Sequence, residues 1–219
     1  MSEIEDLELE FAELPESNAV VETLWQEAAL ARRYGDIEPA LEAYRRILAL
    51  DPSHTEARLA AAETCRQGGR PRDALRLCLE LLEMAPQHVA CRLELAEILR
   101  LMGQAEESRA IVDILLLERP DSVHVWCGLA RLLADQDRLP GAEAVLRRAL
   151  GLNPGHAAAW ALLGRVLARR GDGDEAVDAL HAAVILAPDA VAHRVELAET
   201  LIRQGRFDEA AAHLDRALA

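Results

Sequence analysis

A period of 34 residues runs through the chain from Val21 onward and constrains its fold more than any other feature. The most visible row at this spacing consists of prolines: Pro52, Pro86, Pro120, Pro154 and Pro188. A second row is glycine in all copies but one: Gly35, Gly69, Gly103, Asp137, Gly171 and Gly205. Two rows hold only small residues: Ala28, Ala62, Ala96, Ala130, Gly164 and Ala198, and Ala40, Ala74, Ser108, Ala142, Ala176 and Ala210. A unit repeated in register predicts a stack of supersecondary units, because each unit buries its apolar face only against its neighbours.

Each copy predicts two helices. In the first copy, residues 21–54, apolar periodicity covers Thr23–Tyr34 and Glu38–Leu50. Gly35 between them suits the left-handed conformation that ends a helix, and Asp36 is placed to cap the next one. The second helix ends before each closing proline, which disfavours helical geometry in the residue before it. Three other prolines fall in the first turn of a second helix, where a missing N–H costs little: Pro39, Pro71 and Pro140.

Residues 1–18 stand apart from the repeat array 19–219. Four apolar residues recur there at intervals of three and four, on one helical face: Ile4, Leu7, Phe11 and Leu14. Acidic residues fill the rest of that helix, and Pro15 predicts its end. Two interpretations stay open: a cap that covers the first repeat, or an amphipathic segment that docks on another protein or in this protein's own groove. The predicted repeats are 21–54, 55–88, 89–122, 123–156, 157–190 and 191–219.

The pattern resembles tetratricopeptide repeats, which have this period, small residues at the helix crossings and a closing proline. The fullest copies are 123–156, with Trp126 and Ala130, and 157–190, with Trp160. The resemblance implies an all-α, right-handed superhelical solenoid of about twelve antiparallel helices. It also implies a concave groove, lined by the first helix of each repeat, that binds a peptide or helix of a partner protein.

Counting from Val21 places a row of side chains in that groove. The fifth residues of the repeats are apolar or small. The ninth residues include both acidic and basic side chains, and arginines lie near the ends of the first helices. The predicted partner-binding residues are Trp25, Leu59, Glu63, Leu93, Glu97, Arg100, Cys127, Arg131, Arg165 and Arg169. Such a surface suits a peptide with apolar anchors and both charges. For arginines near helix ends, a favourable interaction with the helix macrodipole is the alternative role.

Some family members grip a C-terminal carboxylate with lysine, asparagine and arginine side chains. The matching positions here are Trp25, Ala29, Ala60, Ala90 and Glu94, so we expect no such clamp. The formal net charge of −14 argues against nucleic acid as a partner, since phosphates are attracted by positive fields. No apolar run approaches the roughly 20 residues needed to span a bilayer.

No catalytic motif, metal-ligand spacing or cofactor signature is visible, so we predict no enzyme activity, no metal and no cofactor. Cys65, Cys78, Cys91 and Cys127 form no CxxC pair, and a reducing cytoplasm, bacterial in character, is the expected setting. Cys65 and Cys78 fall on core-facing positions of one repeat, where they could touch as a redox pair or simply pack as small apolar residues. Three histidines end their repeats, and we predict loop or cap roles for them: His54, His88 and His156.

These features predict a cytoplasmic adaptor or scaffold that binds a partner protein and performs no chemistry. Two alternatives stay open. The chain could be the targeting or oligomerising arm of an enzyme, because similar arrays are often fused to transferase domains, or a secretion-type chaperone that shields an apolar client segment. The sequence stops at Ala219 inside a predicted helix, so we also expect Leu214 and Leu218 to seek another helix or another copy.

Overall fold

The computed structural model describes the backbone of residues 2–218 and the side chains of residues 18–218. Over these residues the chain forms twelve α-helices in consecutive pairs, as the sequence predicts. The first helices of the pairs are α1 (Ser2–Tyr34), α3 (Thr55–Gln67), α5 (Val89–Leu101), α7 (Val123–Asp135), α9 (Ala157–Arg170) and α11 (Val191–Arg203). The second helices are α2 (Ile37–Leu50), α4 (Pro71–Met84), α6 (Ala105–Glu118), α8 (Leu139–Leu152), α10 (Gly173–Leu186) and α12 (Phe207–Leu218).

The chain divides into two compact units. Unit 1, Met1–Gln104, contains α1 to α5, and unit 2, Ala105–Ala219, contains α6 to α12. Each unit has its own buried apolar cluster. In unit 1 the cluster centres on residues such as Tyr44 and Ile47, and in unit 2 it includes Leu180 and Leu197.

The predicted N-terminal segment 1–18 coincides with the first part of α1. The backbone of α1 continues through Pro15, so the prediction that the helix ends there is wrong. A proline inside a helix removes one hydrogen bond and disturbs the turn before it, but it does not forbid the helix from continuing. The side chains of residues 1–17 lie outside the described residues, and the cap and docking interpretations both stay predictions.

The turns inside the helix pairs confirm the role predicted for the glycine row. Gly35 has φ +78°, and the other glycines of the row also lie in the left-handed region. Asp137 occupies the same position with φ 57°, which makes it the one non-glycine residue with positive φ among the described residues. Asp tolerates this region better than most residues because its short polar side chain can bond locally. The turn therefore keeps its geometry without glycine.

The three histidines that end their repeats are N-caps of the following first helices, which confirms the predicted cap role. In each case the imidazole Nδ1 accepts a hydrogen bond from a backbone N–H of the first turn. His54 accepts from Ala57 at 3.3 Å and His156 from Ala159 at 3.0 Å. Asp36 is the N-cap residue of α2, as predicted, but its side chain makes no capping hydrogen bond. Its backbone carbonyl accepts the first hydrogen bond of the helix, from the N–H of Ala40 at 3.4 Å.

The His156 cap yields a testable prediction. We expect His156→Ala to lower the free energy of unfolding by about 1 kcal/mol at pH 8, and His156→Asn to restore most of it, since Asn is a good N-cap. Burial and the neighbouring His124 lower the pKa of His156, so the folded chain favours the neutral imidazole. The unfolded chain takes up a proton near pH 6.5, so the cap's contribution is complete above that pH and is lost as the pH falls. Urea denaturation of both variants at pH 8 and pH 5 tests this, and an equal loss at both pH values would contradict it.

The residues of the two small-residue rows are buried. This holds for all twelve members, as the sequence predicts. In unit 1, Ala28 and Ala40 are fully buried in the first helix pair. At the far end of unit 2, Leu214 packs against the core cluster, whereas Leu218 is 88% exposed. Leu214 is half-buried, so most of the apolar surface that the two leucines expose belongs to Leu218.

A hydrogen bond from the fourth residue of a repeat ties several repeats to the closing proline of the preceding one. The indole Nε1 of Trp126 donates to the Pro120 carbonyl at 2.8 Å, and Trp160 donates to Pro154 at 2.8 Å. Arginine does the same elsewhere, as in Arg58 to Pro52 at 2.6 Å and Arg194 to Pro188 at 2.8 Å. Arginine can take the place of tryptophan at this position because both side chains have an apolar part and an N–H donor far from the backbone.

Candidate partner-binding faces

In unit 1 the first helices α1, α3 and α5 present the predicted apolar row. Trp25, Leu59 and Leu93 are each half-buried, so part of every side chain packs inward and part remains accessible. Trp25 and Leu59 pack against the core cluster of the unit. The Trp25 ring meets Tyr44 edge-on, with centroids 5.6 Å apart, and lies nearly parallel to the His54 ring at 5.8 Å. These contacts hold the accessible part of the indole in a fixed orientation.

Ion pairs link the first helices across this face. Arg32 of α1 contacts Glu63 of α3 at 3.3 Å. Arg66 of α3 contacts Glu94 of α5 at 2.5 Å, and Glu94 is almost completely buried. Within α5, Arg100 pairs with Glu97 at 2.8 Å. Of the charges predicted to contact a ligand, Glu63 thus links α3 to α1, whereas Glu97 and Arg100 pair within α5, and the apolar row lies beside these ion pairs.

Glu94 is the residue of this network that sequence reasoning missed. Burial raises the pKa of Glu94, while the hydrogen bond and charge of Arg66 act in the opposite direction. The sequence analysis noted Glu94 only because it stands where some family members have a residue that grips a C-terminal carboxylate. An arginine at the end of one first helix and an acid near the middle of the next, 28 residues apart, is the signal that could have found this pair.

In unit 2 the predicted residues have a different environment. Cys127 is only 5% exposed, and burial raises its pKa to about 11. Arg165 is exposed and contacts Glu196 of α11 at 3.2 Å, and exposed Arg169 contacts Asp137 at 3.3 Å. Arg131 is half-buried. The face of unit 2 therefore consists of small buried residues and exposed ion pairs, with little accessible apolar surface from Cys127.

Cys78, one of the two cysteines considered as a redox pair, has a cysteine neighbour in the next repeat. All four cysteines are free and buried, and the Cys91 thiol donates a hydrogen bond to the Cys78 carbonyl at 3.4 Å. Cys78 of α4 is therefore next to Cys91 of α5, in the following repeat. The hydrogen-bonded Cys91 thiol and burial raise the pKa of Cys78. A thiol held protonated and fully buried behaves as a small apolar residue, which is the second of the two predicted roles.

The part of the chain with described side chains contains no group of three or more His, Cys, Asp or Glu residues placed to hold a metal ion. No helix between residues 2 and 218 has the length and apolar character that a membrane crossing requires.

Paired helices at a constant period, joined by left-handed turns and packed through small residues, define a helical-hairpin repeat protein. Two family models described as tetratricopeptide repeat match the sequence, one over residues 26–89, 127–190 and 161–219 and the other over 66–132. The chain belongs to the tetratricopeptide repeat family. The comparison with curated proteins finds no significant match.

Solved structures show the same fold at low sequence identity. MamA 41-end from Desulfovibrio magneticus RS-1 is 20% identical, with a TM-score of 0.53 over 75% of this chain and 93% of that one. A MamA RS-1 ArsTM double mutant is also 20% identical, with a TM-score of 0.52 over 75% of this chain and 92% of that one. A monomeric mutant of IFIT1, in a structure with m7Gppp-AAAA, is 17% identical with a TM-score of 0.70 over 84% of this chain and 46% of that one. At these identities the likeness concerns the fold alone.

Proposed function

We propose that the chain is a non-catalytic adaptor that binds a peptide or helix of a partner protein on the face formed by α1, α3 and α5 of unit 1. The observation that carries this proposal is the row of half-buried Trp25, Leu59 and Leu93 beside an ion-pair network. Each side chain is partly buried against the core, and its remaining accessible surface can pack against an apolar side chain of the partner. Family membership supports a protein-interaction role.

The partner in this proposal is a protein segment rather than a nucleic acid. Binding of a phosphate backbone needs arginines whose charge is free to replace counterions. On this face Arg32 and Arg66 are paired with glutamates, and the chain as a whole carries a net charge of −14. A peptide with apolar anchor residues and a small net charge matches such a surface better than a phosphate backbone does.

Affinity capture from a native lysate, with mass spectrometry, tests the proposal. The bait is the full chain, compared with a Leu59→Arg/Leu93→Arg variant that places two charges in the apolar row. A matched control is Leu79→Arg/Met84→Arg, which adds the same charges at two half-exposed leucine and methionine positions of α4 in the same unit. We expect one or more proteins to be captured by the wild type and the control and to be lost by the row variant.

The captured protein is then mapped to a segment, and a synthetic peptide of that segment is titrated against each purified variant. We expect the row variant to bind at least about tenfold more weakly, which corresponds to about 1.4 kcal/mol. Equal capture and equal affinity for all three proteins would overturn the proposal for this face. Circular dichroism of each variant verifies that the helices are retained.

A further inference from the structure

A cleft at one edge of the unit 1 face has a chemical character of its own. It is lined by Val21, Glu22 and Trp25 of α1, by the cap residue His54, and by Glu56 at the start of α3. The cleft therefore combines the face's largest aromatic side chain, an aliphatic side chain one helical turn before it, and two carboxylates.

The carboxylates of the cleft accept hydrogen bonds from neutral side chains. Glu22 accepts a hydrogen bond from the Gln26 amide at 3.1 Å, and Glu56 accepts one from the Thr55 hydroxyl at 3.3 Å. Among the residues with described side chains, neither forms an ion pair with an arginine, and the first arginine of the sequence is Arg32. This contrasts with Glu63 and Glu94 on the same face, each of which is paired with one.

The Nδ1 atom of His54 serves as the N-cap acceptor of α3. This nitrogen lies 3.4 Å from a Glu56 carboxylate oxygen, but it accepts the hydrogen bond from the Ala57 N–H. With this hydrogen bond in place, the same nitrogen is not available to donate to Glu56. A hydrogen bond from its own backbone N–H lowers the pKa of Glu56, which keeps this carboxylate ionised at neutral pH.

We infer that this cleft binds one basic side chain, arginine or lysine, of the partner segment. The inference rests on the function proposed for the unit 1 face and adds a charge requirement to it. The cation would lie against the accessible part of the Trp25 indole, on the side away from the stacked His54 ring, where the quadrupole of the indole favours a positive charge. Glu22 and Glu56 would supply opposite charge, and Val21 would contact the methylene stem of the basic side chain. The partner segment would then carry a basic residue next to its apolar anchors.

The test uses small probes and does not require the partner. The indole ¹⁵N–¹H resonance of Trp25, assigned with Trp25→Phe, is followed while the full-length protein is titrated with N-acetyl-arginine methylamide. N-acetyl-citrulline methylamide is the control probe, because it has nearly the same shape and no charge. We expect a saturable shift with the arginine probe, a similar one with N-acetyl-lysine methylamide, and none with the citrulline probe.

Two substitutions test whether the carboxylates of the cleft bind the probe's positive charge. Glu22→Gln and Glu56→Gln should each weaken binding of the arginine probe by about two- to fivefold, the effect of removing one exposed ion pair. Glu83→Gln, an exposed acid of α4 outside the cleft, should leave the affinity unchanged. No saturable shift, an equal shift with citrulline, or equal effects of all three substitutions would overturn the inference. The capture experiment with the apolar-row variant is independent of these results, so the proposed function can stand when the cleft inference fails.

Discussion

Replacing Arg66 with methionine is expected to lower the free energy of unfolding by about 3 kcal/mol at pH 7, since it leaves one buried member of an ion pair without its partner. The Glu94 side chain is only 10% exposed, and Arg66 provides its hydrogen bond at 2.5 Å. Methionine retains the length of the arginine stem, so most of the loss comes from the charge. The loss has an upper limit of about 4 kcal/mol, because the carboxyl can instead bind a proton at a cost of about 1.4 kcal/mol per pH unit above its ordinary pKa of about 4.3.

The pH dependence identifies the cause of this loss. Burial already raises the pKa of Glu94, and removal of Arg66 takes away the hydrogen bond and charge that oppose the rise. A folded-state pKa above the unfolded one means that the folded chain binds the extra proton, so stability falls as the pH rises through that interval. The cost of Arg66→Met should therefore shrink as the pH is lowered from 7 towards 5. Urea denaturation followed by circular dichroism measures both values.

Two controls separate burial from charge. Arg70→Met makes the same substitution at the exposed pair with Glu38 in the same unit, and should cost much less than Arg66→Met because water screens this pair. Arg66→Met/Glu94→Gln removes the buried charge with its partner and should recover much of the loss, because a neutral amide is less costly to bury. A loss for Arg66→Met that is the same at pH 5 and pH 7, or that the double variant does not reduce, would assign the effect to packing instead.

The sequence predicted the features that depend on local chemistry. The helix pairs, the left-handed turn at Gly35 and the cap at His156 each follow from a residue type at a fixed position, because the backbone requirement there is satisfied within a few residues. The 34-residue period then extends each of these features to the same position in the other repeats. Asp36 stands at the predicted N-cap position of α2, but a suitable side chain at that position does not by itself form the capping hydrogen bond.

The candidate site was less accessible to sequence reasoning, because register gives the position of a side chain but not its exposure or its partner. Leu59 and Cys127 occupy equivalent positions, yet Leu59 is half-buried and Cys127 is buried. The pairing of Arg66 with Glu94 depends on the distance between neighbouring helices. The contact of Cys78 with Cys91 crosses from one repeat to the next, and nothing in the sequence pattern pointed to it.

The second large effect is expected at Gly164, where sequence and structure predict opposite signs. Five of the six copies have alanine at this position, so the repeat pattern favours Gly164→Ala, with a gain of up to about 1 kcal/mol from helix propensity. In the structure, a Cβ at Gly164 would lie 2.5 Å from the Leu180 Cγ and 3.1 Å from the Ala176 carbonyl oxygen. Leu180 is fully buried and cannot move into solvent. Overpacking of this kind costs about 1–3 kcal/mol, so we expect a net loss of about 1–2 kcal/mol.

The same substitution at Gly151 serves as a control without a steric clash, so the comparison separates the cost of overpacking from the gain in helix propensity. Gly151 lies in the last turn of α8, and nothing is within 4 Å of the position of its Cβ. Gly151→Ala should therefore raise the free energy of unfolding by about 0.5 kcal/mol, since only the propensity term applies. Urea denaturation of the two variants against wild type gives the two signs directly. If both substitutions stabilised the chain, α9 and α10 would have room to separate, and the close crossing at Gly164 would be no more restrictive than the alanine crossings of the other repeats. Opposite signs would show that the single glycine in this row is required by the packing of Leu180 against α9.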